Sequence, residues 1–502
     1  MIGNRCIVTL LLSAALLPTT VQGQSVFDQY RQQKQRQFDD YKTRKQKEFD
    51  EYRRRKNEEF AEYMRQRWPE YDVEPPIEKP KEDEVPPVVM PKDDRDKPIE
   101  TKPVPIEEVV PPPPAPKPRP EPVAPIEEKP QPVVQYVTFS CYGTPCKVRF
   151  SDNERFKLSG CNNEAVAAAW KRISSNEAYD NTLYDCLELR QQLRLSDWAY
   201  LNMIAAFAEA CMGKGSNEAR LLTGFIYSQS GYKMRFGMAG DKLLLLYASE
   251  HLIYNRIYSN VDGEKFYVFD SDAKQVQICE GSFPKERSMS LWITEPQQFA
   301  YEATPKRTLQ SNVHADMRVE VSVNKNLLDF YNSYPTSMVG NNFMTRWAMY
   351  ANTEVDERVQ KSLYPALKQK LQGYSELEAA NRLLNWVQTA FVYEYDDKVW
   401  GEDRAFFAEE TLYYPYCDCE DRAIFFSHLM RDLLGLDVVL VYYPGHLATA
   451  VCFNGDVAGD YIMLNGRRFT VCDPTMIGAG APVGYTMPGM DNRTAKVILL
   501  KN

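Results

Sequence analysis

CDCEDRAIFFSHLMRDLLGLDVVLVYYPGHLATAVCF, residues 417–453, changes from a helical to a β-strand pattern within one stretch. Asp418 can cap a helix, with Asp421 three positions later, and the apolar residues that follow recur on one helical face. Gly435 is the expected end of this helix. The sequence therefore predicts a helix that begins at Cys419, directly after its capping residue.

Two strand patterns and a hairpin follow this helix. Val438–Tyr443 is an uninterrupted apolar run, which indicates a buried strand, and Pro444-Gly445 end it. A second strand begins at His446. Farther on, residues 461–473 read as strand, turn and strand around Asn465-Gly466, a two-residue hairpin turn. Together these segments predict an antiparallel sheet packed on the helix, which is an α+β arrangement.

Three chemically active side chains lie at the ends of these elements. Cys419 begins the helix, His446 begins the second strand and Asp473 ends the hairpin. A thiol, an imidazole and a carboxylate are the nucleophile, base and orienting acid that acyl transfer needs. The helix dipole favours a thiolate at Cys419, whereas the acidic residues beside it oppose ionisation. These three residues are the candidate catalytic residues.

Each candidate also has a non-catalytic interpretation. Cys419 could be a core cysteine or half of a disulfide, His446 could fill a turn, and Asp473 could form one. The pair of Cys417 and Cys419 also suggests zinc, but a zinc site needs two further ligands at suitable spacing. His428, the nearest histidine, lies within the helix pattern. The sequence leaves the first three alternatives open and predicts no metal site.

The cysteine, histidine and aspartate motifs, taken in their order along the chain, resemble those of the transglutaminase-like (papain-like) cysteine superfamily. The resemblance covers about residues 375–476, and its motifs are Cys419-Glu-Asp-Arg-Ala423, Leu429–Gly435, Pro-Gly-His446 and Cys-Asp473-Pro-Thr. It implies an exported bacterial member of that superfamily, with a papain-like core in which a helix bearing the cysteine packs on an antiparallel sheet bearing the histidine and the aspartate.

The same resemblance implies a role for each residue. Cys419 would be the nucleophile, His446 the general base and acid, and Asp473 the residue that orients the imidazole. No metal and no organic cofactor are implied. The oxyanion donor is not assigned by the motifs, and Trp400 and Tyr416 are the candidates.

An earlier part of the chain repeats this pattern without its chemistry. A helix pattern over Asn217–Ser230 ends at Gly231, and Lys242 stands eleven residues farther on, at the spacing that separates His446 from Gly435. A hairpin turn at Asp262-Gly263 is followed by residues that match Phe469, Val471 and Asp473, namely Phe266, Val268 and Asp270. We expect residues 135–330 to be a degenerate, non-catalytic copy of the catalytic domain at 331–502. Chance similarity of helix-hairpin units is the alternative.

The first residues have the features of a secretory signal peptide. Arg5 precedes the apolar run Ile7–Leu17, and Val21-Gln22-Gly23 offers small residues for cleavage after Gly23. The protein is therefore expected to be exported to a periplasmic or extracellular location. No later stretch has the ~18 apolar residues of a membrane-spanning helix. No transmembrane segment is predicted.

Residues 26–68 repeat with a period of eleven. Phenylalanines at this spacing are each followed three positions later by a tyrosine: Phe27, Phe38, Phe49 and Phe60, with Tyr30, Tyr41, Tyr52 and Tyr63. Eleven residues make about three helical turns, so one aromatic stripe is expected on a long helix. A solvated helix or coiled-coil spacer is favoured. Docking of a partner, or self-association through the stripe, is the alternative.

Residues 69–134 contain 21 of the 33 prolines. Proline lacks a backbone donor and fixes φ, so this segment is expected to be a disordered or extended linker in polyproline II conformation. A tether is its predicted role.

Charge and cysteine content limit the remaining possibilities. A net charge of −9 together with export argues against nucleic acid as a partner. Exported cysteines meet an oxidising compartment, and Cys141 and Cys146 are placed to staple a hairpin.

Two functions are consistent with these patterns. The first is an exported cysteine enzyme that acts on amide bonds of protein or peptide substrates through a thioester. Hydrolysis of a protein or cell-wall peptide is favoured over cross-linking. The second is a non-enzymatic envelope scaffold or binding protein built on transglutaminase-like domains.

Overall fold

The computed structural model describes residues 20–81, 85–90, 99–131, 134–490 and 492–501. The predicted signal peptide, residues 1–23, lies almost entirely outside these ranges. The chain divides between Arg55 and Lys56 into two units, each described here by itself.

The first unit consists of most of one long helix, α1 (Thr20–Met64). This helix begins six residues before the predicted range of 26–68 and ends four residues before its end. Aromatic side chains of the eleven-residue repeat are more than half exposed in its first half: Phe27, Tyr30, Phe38 and Tyr41. Cations three or four residues farther along the helix stack on these rings, as Arg31 does on Phe27. The helical prediction is confirmed, and docking through the stripe stays a prediction.

The described part of the second unit contains eleven further helices. They are α2 (Asn163–Ser174), α3 (Ala178–Gln192), α4 (Asp197–Met212), α5 (Asn217–Gln229), α6 (Lys325–Ser333), α7 (Thr345–Ala351), α8 (Glu357–Lys370), α9 (Glu376–Ala390), α10 (Asp396–Val399), α11 (Ala408–Tyr413) and α12 (Cys419–Leu434).

Strands alternate with these helices. In chain order they are β1 (Glu70–Asp72), β2 (Val89–Met90), β3 (Glu108–Val110), β4 (Tyr136–Cys141), β5 (Thr144–Arg149), β6 (Met234–Ala239), β7 (Lys242–Ala248), β8 (His251–Ile253), β9 (Tyr258–Val261), β10 (Glu264–Tyr267), β11 (Gln275–Ile278), β12 (Arg307–Gln310), β13 (Arg318–Val321), β14 (Ser337–Val339), β15 (Val392–Tyr393), β16 (Tyr416–Cys417), β17 (Asp437–Tyr443), β18 (His446–Cys452), β19 (Tyr461–Leu464), β20 (Arg467–Cys472), β21 (Ile477–Gly478) and β22 (Lys496–Leu499).

Two six-stranded sheets dominate the second unit, and with the helices they confirm the predicted α+β class. Their strand orders are β1-β11-β6-β7-β10-β9 and β19-β20-β18-β17-β22-β3. All neighbours are antiparallel except β22 and β3, which are parallel. β1 and β3 are edge strands that come from the proline-rich segment. When these two are left aside, the first sheet reads β11-β6-β7-β10-β9 and the second reads β22-β17-β18-β20-β19, which is the same order of strands along the chain. Helix α5 precedes the strands of the first sheet, and α12 precedes those of the second. This common order agrees with the predicted duplication, which stays a prediction.

Helix α12 lies at the centre of the second sheet's core. All its residues from Cys419 to Met430 are buried, and the helix packs on β17 and β18. Gly435 ends it in the left-handed conformation, with φ +67°, as predicted. The fully buried guanidinium of Arg422 donates to the backbone carbonyls of Gln388 and Phe391, which joins α12 to the end of α9. The helix that carries Cys419 is therefore held on several sides.

The hairpins follow the predicted turns. Tyr443 pairs with His446 across Pro444-Gly445, so the imidazole stands at the first position of β18. Asn465 and Gly466 both have positive φ, which is the two-residue turn expected between β19 and β20. Antiparallel pairing of β18 with β20 then brings the end of β20 beside the start of β18.

The described stretches of the proline-rich segment are extended, but they are built into the sheets. β1 pairs with β11, β3 pairs with β22, and β2 pairs with β21. These stretches are therefore not a disordered tether: β1 and β3 complete the edges of the two six-stranded sheets, and β2 forms a two-stranded sheet with β21. Proline composition could not reveal this, since the paired residues lie between the prolines.

Two further expectations can be compared with the structure. The ten described cysteines are free thiols, so the expected staple between Cys141 and Cys146 does not form. In the hairpin register Cys146 opposes Phe139 and Cys141 opposes Thr144, which offsets the two sulfurs along the strands. Among the described residues, each helix is too short or too polar to cross a membrane.

Candidate active site

Cys419 occupies the first turn of α12. Its capping residue Asp418 donates its backbone N–H to the Asp421 carboxylate at 3.3 Å, which completes the predicted capping box. The Cys419 sulfur accepts a hydrogen bond from the backbone N–H of Leu447. It also donates to Oε2 of Glu420 at 3.2 Å. The thiol is thus positioned by the residue after His446 and by its own acidic neighbour.

His446 and Asp473 are in contact. Nε2 of the imidazole lies 2.9 Å from Oδ2 of Asp473, and both side chains are buried. The other carboxylate oxygen of Asp473 accepts the backbone N–H of Thr475 at 2.9 Å. The Asp473 carboxylate therefore fixes a turn through Thr475 and also holds the His446 ring by a hydrogen bond. Nδ1 of His446 has no hydrogen-bond partner among the described residues.

A cavity of about 550 Å³ joins the thiol to the imidazole. Cys419, His446 and Leu447 all line it. Cys419 and His446 therefore both belong to the cavity wall, where the thiol donates to Glu420 and not to the imidazole. Of the three residues predicted from sequence, Asp473 holds one ring nitrogen of His446, and Cys419 lines the same cavity as that histidine.

The electrostatic environment keeps the thiol protonated. Burial raises the pKa of Cys419 well above its usual value, and the negative charges of Glu420 and Asp418 add to this. The hydrogen bond from Leu447 acts in the opposite direction but is outweighed. In this arrangement Cys419 is a neutral hydrogen-bond donor to Glu420.

A series of ion pairs runs from Glu420 through Arg346 and Asp403 to Lys79. Arg346 lies between Glu420, at 3.9 Å, and Asp403, at 3.4 Å, and Lys79 reaches the Asp403 carboxylate at 3.1 Å. Burial and Asp403 raise the pKa of Glu420, while Arg346 opposes them. Burial also opposes ionisation of Asp403, but Arg346 and Lys79 outweigh it and lower its pKa. Arg346 and Lys79 are therefore both paired with carboxylates, Arg346 with Glu420 and Asp403 and Lys79 with Asp403.

Potential metal ligands near the thiol are carboxylates. Oxygens of Asp396, Asp403 and Glu420 lie within 4.8 Å of one another, a grouping that suits a hard cation. Arg346 already supplies positive charge to Asp403 and Glu420. The ligand group that contains Cys419 includes neither a second cysteine nor a histidine in the described chain. This donor set does not fit the zinc alternative.

The oxyanion candidates from sequence lie elsewhere. Trp400 packs against Phe406 and Tyr414, Tyr416 is exposed, and the described lining of the cavity includes neither Trp400 nor Tyr416. Trp347 of α7 was missed: it lines the cavity, and its buried indole N–H has no partner among the described residues. No sequence signal pointed to it, because it stands in a different helix far from the cysteine motif.

The first sheet holds a counterpart of this site. Asn217 begins α5, and its Oδ1 accepts the backbone N–H of Leu243 at 2.9 Å, as the Cys419 sulfur accepts that of Leu447. Lys242 precedes Leu243, and its ammonium lies 3.5 Å from the carboxylate of Asp270. Asn217, Lys242 and Asp270 thus stand where a thiol, an imidazole and a carboxylate stand in the second sheet.

This counterpart has no thiol at the position that corresponds to Cys419. Asn217 has an amide in place of a sulfur, and its amide nitrogen donates a hydrogen bond to the backbone carbonyl of Asp241. Lys242 donates to the backbone carbonyl of Asp270. A hollow of about 630 Å³ remains beside Asn217 and Lys242. These observations agree with the predicted degenerate copy.

Comparison with known proteins identifies no relative: no protein-family model, no curated protein and no solved structure matches this chain.

Proposed function

We propose that this protein is an exported, transglutaminase-like cysteine enzyme with a papain-like core. It acts on amide bonds of protein or peptide substrates through a thioester. The contact between His446 Nε2 and Asp473 Oδ2, at 2.9 Å, carries the proposal. It leaves Nδ1 of the same ring without a hydrogen-bond partner among the described residues. A free ring nitrogen of this kind is the proton acceptor that a cysteine–histidine pair needs.

Each residue has a defined step. Cys419 transfers its proton to His446 Nδ1, and the thiolate attacks the carbonyl carbon of the amide. Asp473 accepts the Nε2–H of the resulting imidazolium and stabilises its charge. The imidazolium then protonates the leaving amine as the carbon–nitrogen bond breaks, and a thioester on Cys419 remains. Water, deprotonated by His446, releases the acid and restores the thiol.

Two N–H groups are candidates to stabilise the oxyanion. The backbone N–H of Cys419 lies in the first turn of α12, where helical N–H groups have no intrahelical acceptor. The indole N–H of Trp347 belongs to the cavity lining. Donors of this kind contribute ~10²–10³-fold to turnover in other acyl-transfer enzymes.

Hydrolysis is favoured over cross-linking. The motifs select neither water nor an amine, and the preference rests on export, because a protein or cell-wall peptide is the substrate class that suits an exported enzyme. The preference is tested by supplying an amine: transfer to the amine, measured by mass, would mark cross-linking, and release of free acid would mark hydrolysis.

The enzyme proposal is tested with the mature protein and a panel of peptide amides. We expect turnover that Cys419→Ala abolishes and that Cys472→Ala, a change at another buried cysteine, leaves intact. An acylated Cys419 peptide should be trapped at early times. Turnover equal in Cys419→Ala and the unchanged protein would refute the proposal.

The raised pKa of the thiol favours a second candidate, a non-enzymatic envelope scaffold or binding protein. In that case the hydrogen bond from Cys419 to Glu420 would be structural, and the three residues would serve packing alone. A protein that never forms a Cys419 thioester but keeps its partners in Cys419→Ala would support this alternative.

A further inference from the structure

Two described stretches of the proline-rich segment lie against the candidate site. We call residues 77–81 and 85–90 the strap. At one end the backbone carbonyl of Ile77 accepts the N–H of Asn255 at 3.0 Å. At the other end β2 pairs in parallel with β21, just beyond Asp473 along the chain. The strap is therefore fixed on both sides of the candidate site.

The middle of the strap touches the site directly. Pro80 and Lys81 belong to the cavity lining together with Cys419 and His446. The N–H of Val85 donates to the backbone carbonyl of Gly445 at 3.0 Å, one residue before His446. Only 4% of Cys419 and 2% of His446 remain exposed. A stretch of the protein's own backbone thus lies against the cavity that holds the buried reactive pair.

One side chain anchors the strap in the series of ion pairs at the site. The ammonium of Lys79 pairs with the Asp403 carboxylate at 3.1 Å and also donates to the Asp403 backbone carbonyl. Asp403 shares Arg346 with Glu420, which accepts the Cys419 thiol. Lys79 is largely buried there, although lysine is seldom buried without a partner. Asp403 therefore behaves as a subsite for a cationic side chain.

We propose that the cleft beside Cys419 is a binding site for extended, lysine- and proline-containing peptide, and that the protein's own strap occupies it. Asp403 takes the lysine ammonium, the adjoining proline lies against the cavity, and Gly445 offers a backbone acceptor. A peptide of the same character would have to displace the strap to reach the thiol. The catalytic consequence rests on the proposed function, whereas occupation of the cleft does not.

The test measures the rate at which iodoacetamide alkylates Cys419 in the full-length mature protein, with the site read by peptide mass mapping. Lys79→Ala removes the anchor, and Val85→Pro removes the N–H that Gly445 accepts. We expect each to raise the rate at Cys419 by about tenfold or more, since alkylation of a covered group follows local opening. Lys102→Ala is the matched control, because it removes the same charge from an exposed lysine of the same proline-rich segment, outside the strap and outside the cavity lining.

Two further readouts separate strap release from misfolding. Cys186 is fully buried far from the strap in sequence, and it should stay unreactive in every variant. A synthetic peptide of residues 77–90, IEKPKEDEVPPVVM, should slow alkylation of Cys419 in Lys79→Ala, and the same peptide with alanine in place of Lys79 should not. General unfolding would expose Cys186 and would not be reversed by the peptide.

The outcomes distinguish the two proposals. Faster alkylation with peptide protection, but no turnover of any amide, would support the strap and refute the enzyme. Turnover by Cys419 in the unchanged protein, with alkylation that neither variant accelerates, would refute the strap and leave the enzyme intact. Protection by both peptides alike would refute the cation subsite at Asp403.

Discussion

Nε2 of His446 lies 2.9 Å from Oδ2 of Asp473, while Oδ1 of the same carboxylate accepts the N–H of Thr475. One carboxylate therefore binds the imidazole and fixes the turn that follows β20. A hydrogen bond to Nε2–H leaves Nδ1 as the basic nitrogen of the neutral ring.

Asp473→Asn should separate these two roles. The amide can keep its acceptor for Thr475, but it cannot stabilise an imidazolium with negative charge. We expect kcat for amide turnover to fall by ~10²–10⁴-fold with little change in thermal stability. Asp473→Ala should lose both activity and stability. Equal turnover in Asp473→Asn and the unchanged protein would contradict the assigned role.

Glu420→Gln should make the thiol more acidic. The charge of Glu420 raises the pKa of Cys419, and glutamine removes that charge while it keeps an acceptor for the thiol. We expect the pH profile of Cys419 alkylation to move toward lower pH. The shift is measured with iodoacetamide between pH 6 and 10. A profile that stays in place, or moves upward, would show that Glu420 does not control the thiol.

Lys242→Ala and His446→Ala form a matched pair at equivalent positions in the two sheets. We expect His446→Ala to abolish amide turnover and Lys242→Ala to change it less than twofold. The partly exposed pair of Lys242 with Asp270 should contribute ~1 kcal/mol or less to stability. Steady-state kinetics and urea unfolding measure both. A large loss of turnover in Lys242→Ala would give the first sheet a catalytic role.

His428 should weaken the fold in acid. Burial lowers its pKa from 6.5 to about 3, so the unfolded chain binds a proton there below pH 6.5 and the folded protein does not. The stability that depends on neutral His428 is complete above pH 6.5 and is lost as the pH falls toward 3. Between pH 7 and pH 5 the unfolding free energy should drop by ~2 kcal/mol more than in His428→Gln. Urea unfolding at both pH values measures this difference, and parallel losses in both proteins would contradict it.

The sequence predicted the parts of the site that local patterns encode. Cys419 at the helix start, His446 after Pro444-Gly445 and Asp473 after a hairpin each follow from turn and cap residues. Antiparallel pairing of β18 with β20 then brings the last two together without further information. The resemblance to a cysteine superfamily added the roles of these residues, and those roles stay a prediction.

What the sequence did not reveal depends on contacts between distant segments. Trp347 reaches the cavity from α7, and Lys79 reaches Asp403 across more than 300 positions of the chain. Neither has a periodic pattern or a motif. The spacing of Cys141 and Cys146 did not disclose which residues oppose each other in the hairpin, so the sequence left open whether this pair is bridged, and both are free thiols.

Strand β1 pairs antiparallel with β11 at the edge of the first six-stranded sheet, and β3 pairs parallel with β22 at the edge of the second. A truncated chain that begins at residue 135 would lose both, and with them the shielding of β11 and β22. Bare sheet edges pair readily with other molecules. Such a fragment should therefore precipitate or self-assemble, even though every residue of the candidate triad is still present in it.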